Sequence, residues 1–397
     1  SGTASLLTAT YPWTHRALHL NSTVVESLAQ QNMFSTFNDD YFKIAYTHNP
    51  LAADLLHQFQ EGIDQLKPMH ELLIRDSMFA ERLFPNDYTI SNQAEKRIWG
   101  HQPGRASSFA LSIADRIGRF EVQGRQLKRE YEDLFPLGLP NFAGQYFKLE
   151  DVVDWLTTAL YSLPQPFLAY VHVLPPHSPY MTRKEFYDLF AADNLNPVEK
   201  PLHYSEKNKN QKRMNEARQY YDEFILYTDA EFGRLMDQLN QGALLNNTIT
   251  MVTSDHGEMF ERGIWGHITP ALYEPIIRVP LLIQQPGQMK KQDFRVPTSC
   301  VDVLPTMLHR TGQSIPAWCE GTVLPGFGGN ETGRDRSVFS VYAMENPKLG
   351  PLEKATFAMV KGDYKLIYNR GQIPEAEPFE LYDLARDPEE LVNLYQT

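Results

Sequence analysis

Hydrophobic runs of strand length alternate with longer amphipathic segments along most of the chain. Short apolar runs predict strands at residues 42–46, 167–174, 248–253 and 279–283. Apolar positions at helical spacing predict helices at residues 51–66, 149–163 and 220–239. This alternation is typical of an α/β fold in which helices flank a mostly parallel central sheet.

The pattern changes beyond about residue 335. Strands at short spacing are predicted at residues 337–343, 356–360 and 364–368, and Lys361-Gly362-Asp363 is typical of a tight hairpin turn. Because no helix-length connection separates these strands, we predict a small antiparallel unit plus a closing helix. The chain is therefore divided into a large α/β domain at 1–335 and a small C-terminal α+β subdomain at 336–397.

Composition excludes several classes of protein. The chain has 397 residues, and its 49 acidic and 37 basic residues give a net charge of -12, which argues against a nucleic-acid partner. No apolar run reaches the roughly 18 residues of a membrane span, so no transmembrane segment is predicted. Two cysteines, Cys300 and Cys319, exclude a disulfide-dense scaffold, and whether they pair is open.

The first residues do not have the pattern of a natural N-terminus. The chain opens inside a helix-like pattern, without a Met or a charged-then-apolar signal segment, so we expect the natural protein to begin earlier. Glycosylation triplets begin at Asn21, Asn246 and Asn330, and they are compatible with secretion. A periplasmic or secreted location is therefore favoured.

Asp255 and His256 follow the strand predicted at 248–253. Ligands of open α/β sheets bind beyond the carboxyl ends of the strands, where these two residues stand. A carboxylate oxygen and an imidazole nitrogen side by side can both bind a divalent cation. The alternative is that Asp255 caps the next helix and His256 is an ordinary hydrogen-bonded polar residue.

Four further histidines stand close to the ends of predicted strands or in loops. His177 follows a stiff Pro-Pro turn, which suits a residue that holds an anionic group in place. His267 lies in a loop rich in glycine and proline that could cover a substrate, or it could be an exposed loop residue. His48 also follows a predicted strand. His172 alternates with apolar neighbours, which favours a core histidine.

Several blocks of sequence follow one another in a characteristic order along the chain. They are residues 5–15 (SLLTATYPWTH), 172–180 (HVLPPHSPY), 221–235, 254–258 (SDHGE), 273–280 (YEPIIRVP), 301–306 and 380–394. In their order and spacing these blocks resemble the sulfatases of the alkaline-phosphatase-like superfamily, while residues 55–150 show no match.

The resemblance implies a Ca²⁺ (or Mg²⁺) site to which Asp255 and His256 contribute. It also implies a nucleophile, a formylglycine made from Cys or a Ser or Thr in some relatives, that would lie two residues before Ser1. The early pair of metal-binding aspartates would lie upstream as well. Neither Ser1, Thr3 nor Ser5 is assigned the nucleophile's role.

The resemblance further implies that His177, His267 and His48 act on the sulfate group, and that His267 protonates the leaving alcohol. Three positions depart from the family pattern. Thr3 stands where the family has an Arg beside the nucleophile, and His267 and His48 stand where it usually has Lys. Because Lys stays charged at neutral pH and His does so only partly, anion binding would weaken at high pH or the substrate would differ.

The predicted function is metal-dependent, covalent hydrolysis of a sulfate ester in a sulfated small molecule or glycan. One alternative is a phosphodiester or phosphonate hydrolase, or a phosphoryl-group transferase, of the same superfamily. The other is a non-catalytic sulfatase-like binding protein. We expect specificity to lie in the unmatched region 55–150, whose aromatics include Phe84, Tyr88 and Trp99, and in the loop at 181–215.

Overall fold

The structure is a computed structural model that describes residues 1–20, 22–75, 124–142, 144–193, 195–207, 210–329, 335–372 and 378–395. Phe84, Tyr88, Trp99, Asn21 and Asn330 lie outside these residues. No helix in the described part is both long and apolar enough to cross a membrane.

The described residues form an ordered series of helices and strands. The helices are α1 (Gly2–Thr8), α2 (Pro12–His15), α3 (Met33–Thr36), α4 (Pro50–Gln58), α5 (Gly124–Tyr131), α6 (Leu149–Ser162), α7 (Gln211–Gln241), α8 (Glu274–Ile277) and α9 (Val303–Arg310). The strands are β1 (Phe42–Thr47), β2 (Gln65–Leu66), β3 (Leu73–Arg75), β4 (Asn141–Phe142), β5 (Gln145–Phe147), β6 (Phe167–His172), β7 (Thr250–Thr253), β8 (Met259–Glu261), β9 (Ile264–Gly266), β10 (Leu281–Gln284), β11 (Ser337–Tyr342), β12 (Ala355–Lys361), β13 (Tyr364–Arg370) and β14 (Phe379–Asp383).

The predicted α/β fold with parallel strands is confirmed. Strands β2, β1 and β6 form a parallel sheet in that order, and the register pairs Phe42 with Phe167 and Thr47 with His172. β7 pairs antiparallel with β10 in a separate two-stranded ladder, so the pairing is mixed rather than parallel throughout. The carboxyl ends of β6 and β7 carry the candidate site residues.

Two predicted helices have different bounds in the structure. The helix expected at 51–66 ends at Gln58, because the chain turns at Gly62 and then pairs Gln65–Leu66 with β1. The helix expected at 220–239 begins at Gln211 instead, inside the segment that the sequence analysis predicts as a loop at 181–215. Asn210 caps it by accepting a hydrogen bond from the Arg213 N–H at 3.2 Å, which satisfies a free donor of the first turn.

The C-terminal unit is an antiparallel sheet in the order β11, β12, β13, β14. The predicted hairpin between β12 and β13 is confirmed, with Lys361 opposite Tyr364. The prediction of a closing helix is wrong for the described residues after 335, which contain a fourth strand and turns instead. Asp387 accepts the N–H groups of Leu391 and Val392, each at 2.8 Å, and such side-chain bonds compete with helical pairing.

Helix α1 packs into the largest apolar cluster of the described residues. Ala4 and Leu7 are fully buried there among residues of β1, α4 and α9. Burying a leucine side chain contributes about 2 kcal/mol, so the packing of α1 holds its first turn firmly beside the candidate site. Cys300 and Cys319 contact the same cluster and are free thiols. Burial raises the pKa of each to about 11.

Candidate active site

Asp255 and His256 leave the carboxyl end of β7 in a turn that only glycine permits. A Cβ on Gly257 would lie 2.0 Å from the carbonyl oxygen of Pro275, while the Gly257 N–H donates to the Ile276 carbonyl at 2.8 Å. The turn therefore needs Gly257 because α8 approaches its backbone closely. The Ser254 hydroxyl also donates to the His256 carbonyl at 2.7 Å, which fixes the strand end.

Three imidazoles from distant parts of the chain meet at this strand end. His256 and His267 stack with ring centroids 4.0 Å apart, and His177 lies 4.9 Å from His267 and 6.3 Å from His256. All three rings, together with Thr3 and Asp255, line a cleft of about 1320 Å³. The structure thus brings together His177, Asp255, His256 and His267, four of the five residues predicted to act on the metal or the sulfate.

Each of the three imidazoles has its Nδ1 atom engaged. Nδ1 of His177 contacts the Ser178 carbonyl at 2.6 Å, and Nδ1 of His256 contacts the Gly257 carbonyl at 2.9 Å. A carbonyl oxygen only accepts, so both Nδ1 atoms carry hydrogen. Nδ1 of His267 lies 3.0 Å from Oε2 of Glu258. The nitrogen left for a ligand is therefore Nε2 in all three rings.

Glu258 is a site residue that the sequence analysis quotes only within the SDHGE block. Its side chain is 4% exposed, and it bonds to His267 across the hairpin of β8 and β9. Met259 pairs with Gly266 in that hairpin, so Glu258 and His267 occupy the next opposed positions. The Arg262-Gly263 turn between two short apolar runs is the sequence signal that could have revealed this pairing.

Asp255 is held ionised by its surroundings. The Thr3 hydroxyl donates to Asp255 Oδ2 at 2.7 Å, and His256 Nε2 lies 3.6 Å from Oδ1. Burial alone would raise the pKa of this carboxyl. The neighbouring His256 and His172 and the Thr3 hydrogen bond outweigh burial, and the pKa lies well below its usual range.

His48 does not line the cleft among the described residues, whereas the sequence analysis expects it to contact the anion. Its side chain is fully buried, its ring stacks on Phe147 at 4.0 Å, and its Nε2 accepts the Leu174 N–H. Burial lowers the pKa of His48 to about 3. A fully buried ring has no surface with which to contact an anion bound in the cleft. The residue after a strand can face either the cleft or the core, and here it faces the core.

Ser5 and His15 resemble a nucleophile and its base, but their hydrogen bonds exclude that role. Ser5 Oγ lies 2.9 Å from His15 Nε2, while Nδ1 of His15 accepts the Ala17 N–H at 3.0 Å. Since Nδ1 accepts, the neutral ring carries its hydrogen on Nε2 and donates it to Ser5. Burial lowers the pKa of His15 well below its usual value, so the ring stays neutral. His15 cannot take a proton from Ser5 in this arrangement.

The donors present suit part of a divalent metal site. An ionised carboxylate and an imidazole with a free Nε2 are suitable ligands, and the bond of His256 Nδ1 to a carbonyl sets the tautomer as in ligating histidines. Ca²⁺ takes six to eight ligands, and within the described ranges no group of three or more His, Cys, Asp or Glu could hold a metal ion. Asp255 and His256 by themselves would therefore supply only part of such a site.

Comparison with known proteins places this geometry in context. The model of a family described as Sulfatase matches residues 115–313, and one described as N-sulphoglucosamine sulphohydrolase, C-terminal, matches residues 265–397. The chain is 30% identical over 252 residues to a choline-sulfatase of Rhizobium meliloti, covering 58% of this chain and 46% of that protein. It is 28% identical over 292 residues to arylsulfatase K of Gallus gallus, covering 62% and 51% respectively. The chain spans about half the length of these curated relatives.

Solved structures share the fold at lower identity. A phosphonate monoester hydrolase of Agrobacterium radiobacter superposes with a TM-score of 0.64 at 18% identity, over 99% of this chain and 81% of that one. A protein in complex with its substrate D-glucosamine-2-N,6-O-disulfate superposes with a TM-score of 0.62 at 19% identity, over 99% and 83%. The fold agrees with the family match, which covers half of the sequence, and this chain belongs to the sulfatase family.

Proposed function

We propose that the protein containing this chain hydrolyses a sulfate ester of a small molecule or glycan. The observation that carries the proposal is the convergence of His177, His256 and His267 beside the ionised Asp255 in one open cleft. The Nε2 atoms of His177 and His267 are free to contact a tetrahedral oxyanion and donate to it when they carry hydrogen. The relatives named choline-sulfatase and arylsulfatase K support sulfate over other oxyanions.

In this proposal His177 and His267 hold the sulfate oxygens through Nε2 and stabilise the charge that moves to the leaving oxygen. His267 also donates a proton from Nε2 to the leaving alcohol. Its Nδ1 bond to the buried Glu258 supports this role, because a carboxylate stabilises the protonated imidazole and fixes the ring plane. Glu258 thereby orients the proton donor without touching the substrate.

We propose that Asp255 and His256 supply part of a Ca²⁺ or Mg²⁺ site, completed by ligands outside the described residues. When bound, the cation supplies charge that neutralises the sulfate and polarises its sulfur. Thr3 holds Oδ2 of Asp255, and the Gly257 carbonyl holds Nδ1 of His256. These two bonds orient the carboxylate and the imidazole before the cation arrives.

We also propose that the nucleophile lies upstream of Ser1 and is a formylglycine. The alignment of residues 5–15 with the family motif supports this position. The hydrogen-bond directions around His15, which leave Ser5 without a base, are consistent with it. Mass spectrometry of the upstream peptide tests the proposal, because conversion of Cys to formylglycine changes the peptide mass. An unmodified residue in active protein would reject it.

The activity test compares two aryl esters with the same leaving group. The full-length protein, purified with Ca²⁺, is assayed on 4-nitrophenyl sulfate and 4-nitrophenyl phosphate, then dialysed against a chelator and assayed again. We expect a higher kcat/KM on the sulfate, and its loss on dialysis. A higher kcat/KM on the phosphate would favour the phosphoryl-transfer alternative. Calcium binding without turnover of either ester would favour a non-catalytic binding protein.

A further inference from the structure

His48 and His177 lie in different parts of the chain, and both are hydrogen-bonded to the backbone of Leu174. His48 directly follows β1, and its Nε2 accepts the N–H of Leu174, which lies just beyond β6. The carbonyl of Leu174 in turn accepts the N–H of His177 at 2.8 Å. Leu174 therefore connects the buried imidazole of His48 to the backbone of a residue whose ring lines the cleft.

Packing alone does not account for an imidazole at position 48. The ring is fully buried against Phe147, and its Nδ1 has no hydrogen-bond partner among the described residues. Because the Leu174 N–H can only donate, Nε2 is unprotonated and the unpartnered Nδ1 carries the hydrogen. A buried donor without a partner lowers stability. An apolar side chain of similar size would avoid that loss, but it would leave the Leu174 N–H without an acceptor.

We propose that His48 is a positioning residue for His177, fixing through Leu174 the turn that directs the His177 ring into the cleft. The role rests on the proposed function, because it matters to activity only if His177 binds the sulfate group. It differs from the anion contact expected from the sequence. His48 acts here as an acceptor through Nε2, because the Leu174 N–H can only donate.

Two variants of the full-length protein separate positioning from packing. In His48→Gln the amide oxygen stands the same number of bonds from Cα as Nε2, so the acceptor for Leu174 N–H is kept. In His48→Leu the acceptor is lost and the volume is nearly kept. We expect kcat on 4-nitrophenyl sulfate to stay within about 3-fold for His48→Gln and to fall by about 20-fold or more for His48→Leu, with KM little changed. Equal losses in the two variants would overturn the proposal.

A double-mutant cycle tests the route through His177. In a His177→Ala background, His48→Leu should change kcat by less than about 2-fold, because the ring it positions is already absent. A full, multiplicative loss in that background would show that His48 acts elsewhere and would overturn the proposal. Circular dichroism and the melting temperature show whether His48→Leu folds. If it does not, His48→Asn takes its place in the comparison with His48→Gln, because Asn keeps a polar group but has no acceptor at the position of Nε2.

The ring signal of His177 gives a readout that does not depend on turnover. The ¹H–¹³C correlation of its Cε1–H is assigned through His177→Ala and compared among the proteins. We expect it to shift in His48→Leu and to stay near the wild-type position in His48→Gln. An unmoved signal in His48→Leu would overturn the positioning role. If the wild-type protein hydrolyses no sulfate ester, the proposed function fails while this measurement still decides the role of His48.

Discussion

The hydroxyl of Thr3 donates a 2.7 Å hydrogen bond to Oδ2 of Asp255 across 252 positions of sequence. The backbones approach just as closely, because a Cβ on Gly2 would lie 2.2 Å from the Asp255 carbonyl oxygen. Helix α1 and the end of β7 are therefore packed as one unit. The resemblance aligns Thr3 with an arginine of the family motif, and in this structure the hydroxyl at that position contacts the candidate metal-binding carboxylate.

Replacing Thr3 by Val removes this donor and keeps the branched shape of the side chain. A hydrogen bond to a charged group contributes about 1.5–3 kcal/mol, so kcat/KM should fall by roughly 10- to 100-fold. Steady-state kinetics on 4-nitrophenyl sulfate measure the change. Thr3→Ser keeps the hydroxyl and serves as the matched control, with an expected loss within about 3-fold. A loss in Thr3→Ser with activity kept in Thr3→Val would show that the methyl group, rather than the bond, matters.

Asp255→Asn tests the proposed metal site without changing the size of the side chain. The amide keeps an oxygen but removes the negative charge that a divalent cation needs, so activity should fall by about 10²-fold or more. The melting temperature of the metal-free protein should fall modestly, because the surroundings that lower the pKa of Asp255 stabilise its charged form in the folded state. Metal content by mass spectrometry and turnover are measured together. Wild-type values for both would remove Asp255 from the site.

Glu258→Gln and Glu258→Ala separate orientation from charge at His267. Gln can still accept the Nδ1 hydrogen of His267, whereas Ala leaves the ring without a partner. We expect kcat to fall about 10-fold in Gln and about 100-fold in Ala, in line with the contribution of an oriented proton donor. Glu132→Gln, at an exposed carboxylate, is the control. A rise in KM alone, with kcat unchanged, would contradict an orienting role.

His203 predicts an acid limit to stability. Burial lowers its pKa to about 4, although Glu380 opposes the shift, and Arg262 adds to it. Between pH 6.5 and 4 the unfolded chain binds a proton at this site that the folded chain does not, so stability is lost as the pH falls. The slope is at most roughly 1.4 kcal/mol per pH unit.

Denaturant unfolding at pH 7 and pH 5 measures this effect. His203→Gln, which cannot be protonated, should lose less stability between the two pH values than the wild-type protein. The exposed His309→Gln should behave as wild type. An unchanged difference in His203→Gln would place the acid sensitivity elsewhere, with the buried His48 as the next group to examine.

Local patterns carry much of the fold. The strand at Phe42–Thr47 follows from a short apolar run, because both of its faces are buried. The helix at Leu149–Ser162 follows from periodicity, because it buries one face against the core. The missed start of α7 at Gln211 has a different origin. Its first residues are polar, and only capping by Asn210 and packing of later residues make them helical. The sequence predicts a C-terminal helix, but the Asp387 side chain accepts the backbone N–H of Leu391 and so competes with helical hydrogen bonding.

The candidate site divides in the same way. The residue types at 177, 255, 256 and 267 and their places after strands and turns were readable from the linear order of the chain, since those depend on neighbours only. That the rings of His177 and His267 lie 4.9 Å apart, that Thr3 reaches Asp255, and that His48 is buried rather than open to the cleft depend on packing between distant segments. Such contacts are decided by which faces the folded elements present to one another, and no local pattern encodes that choice.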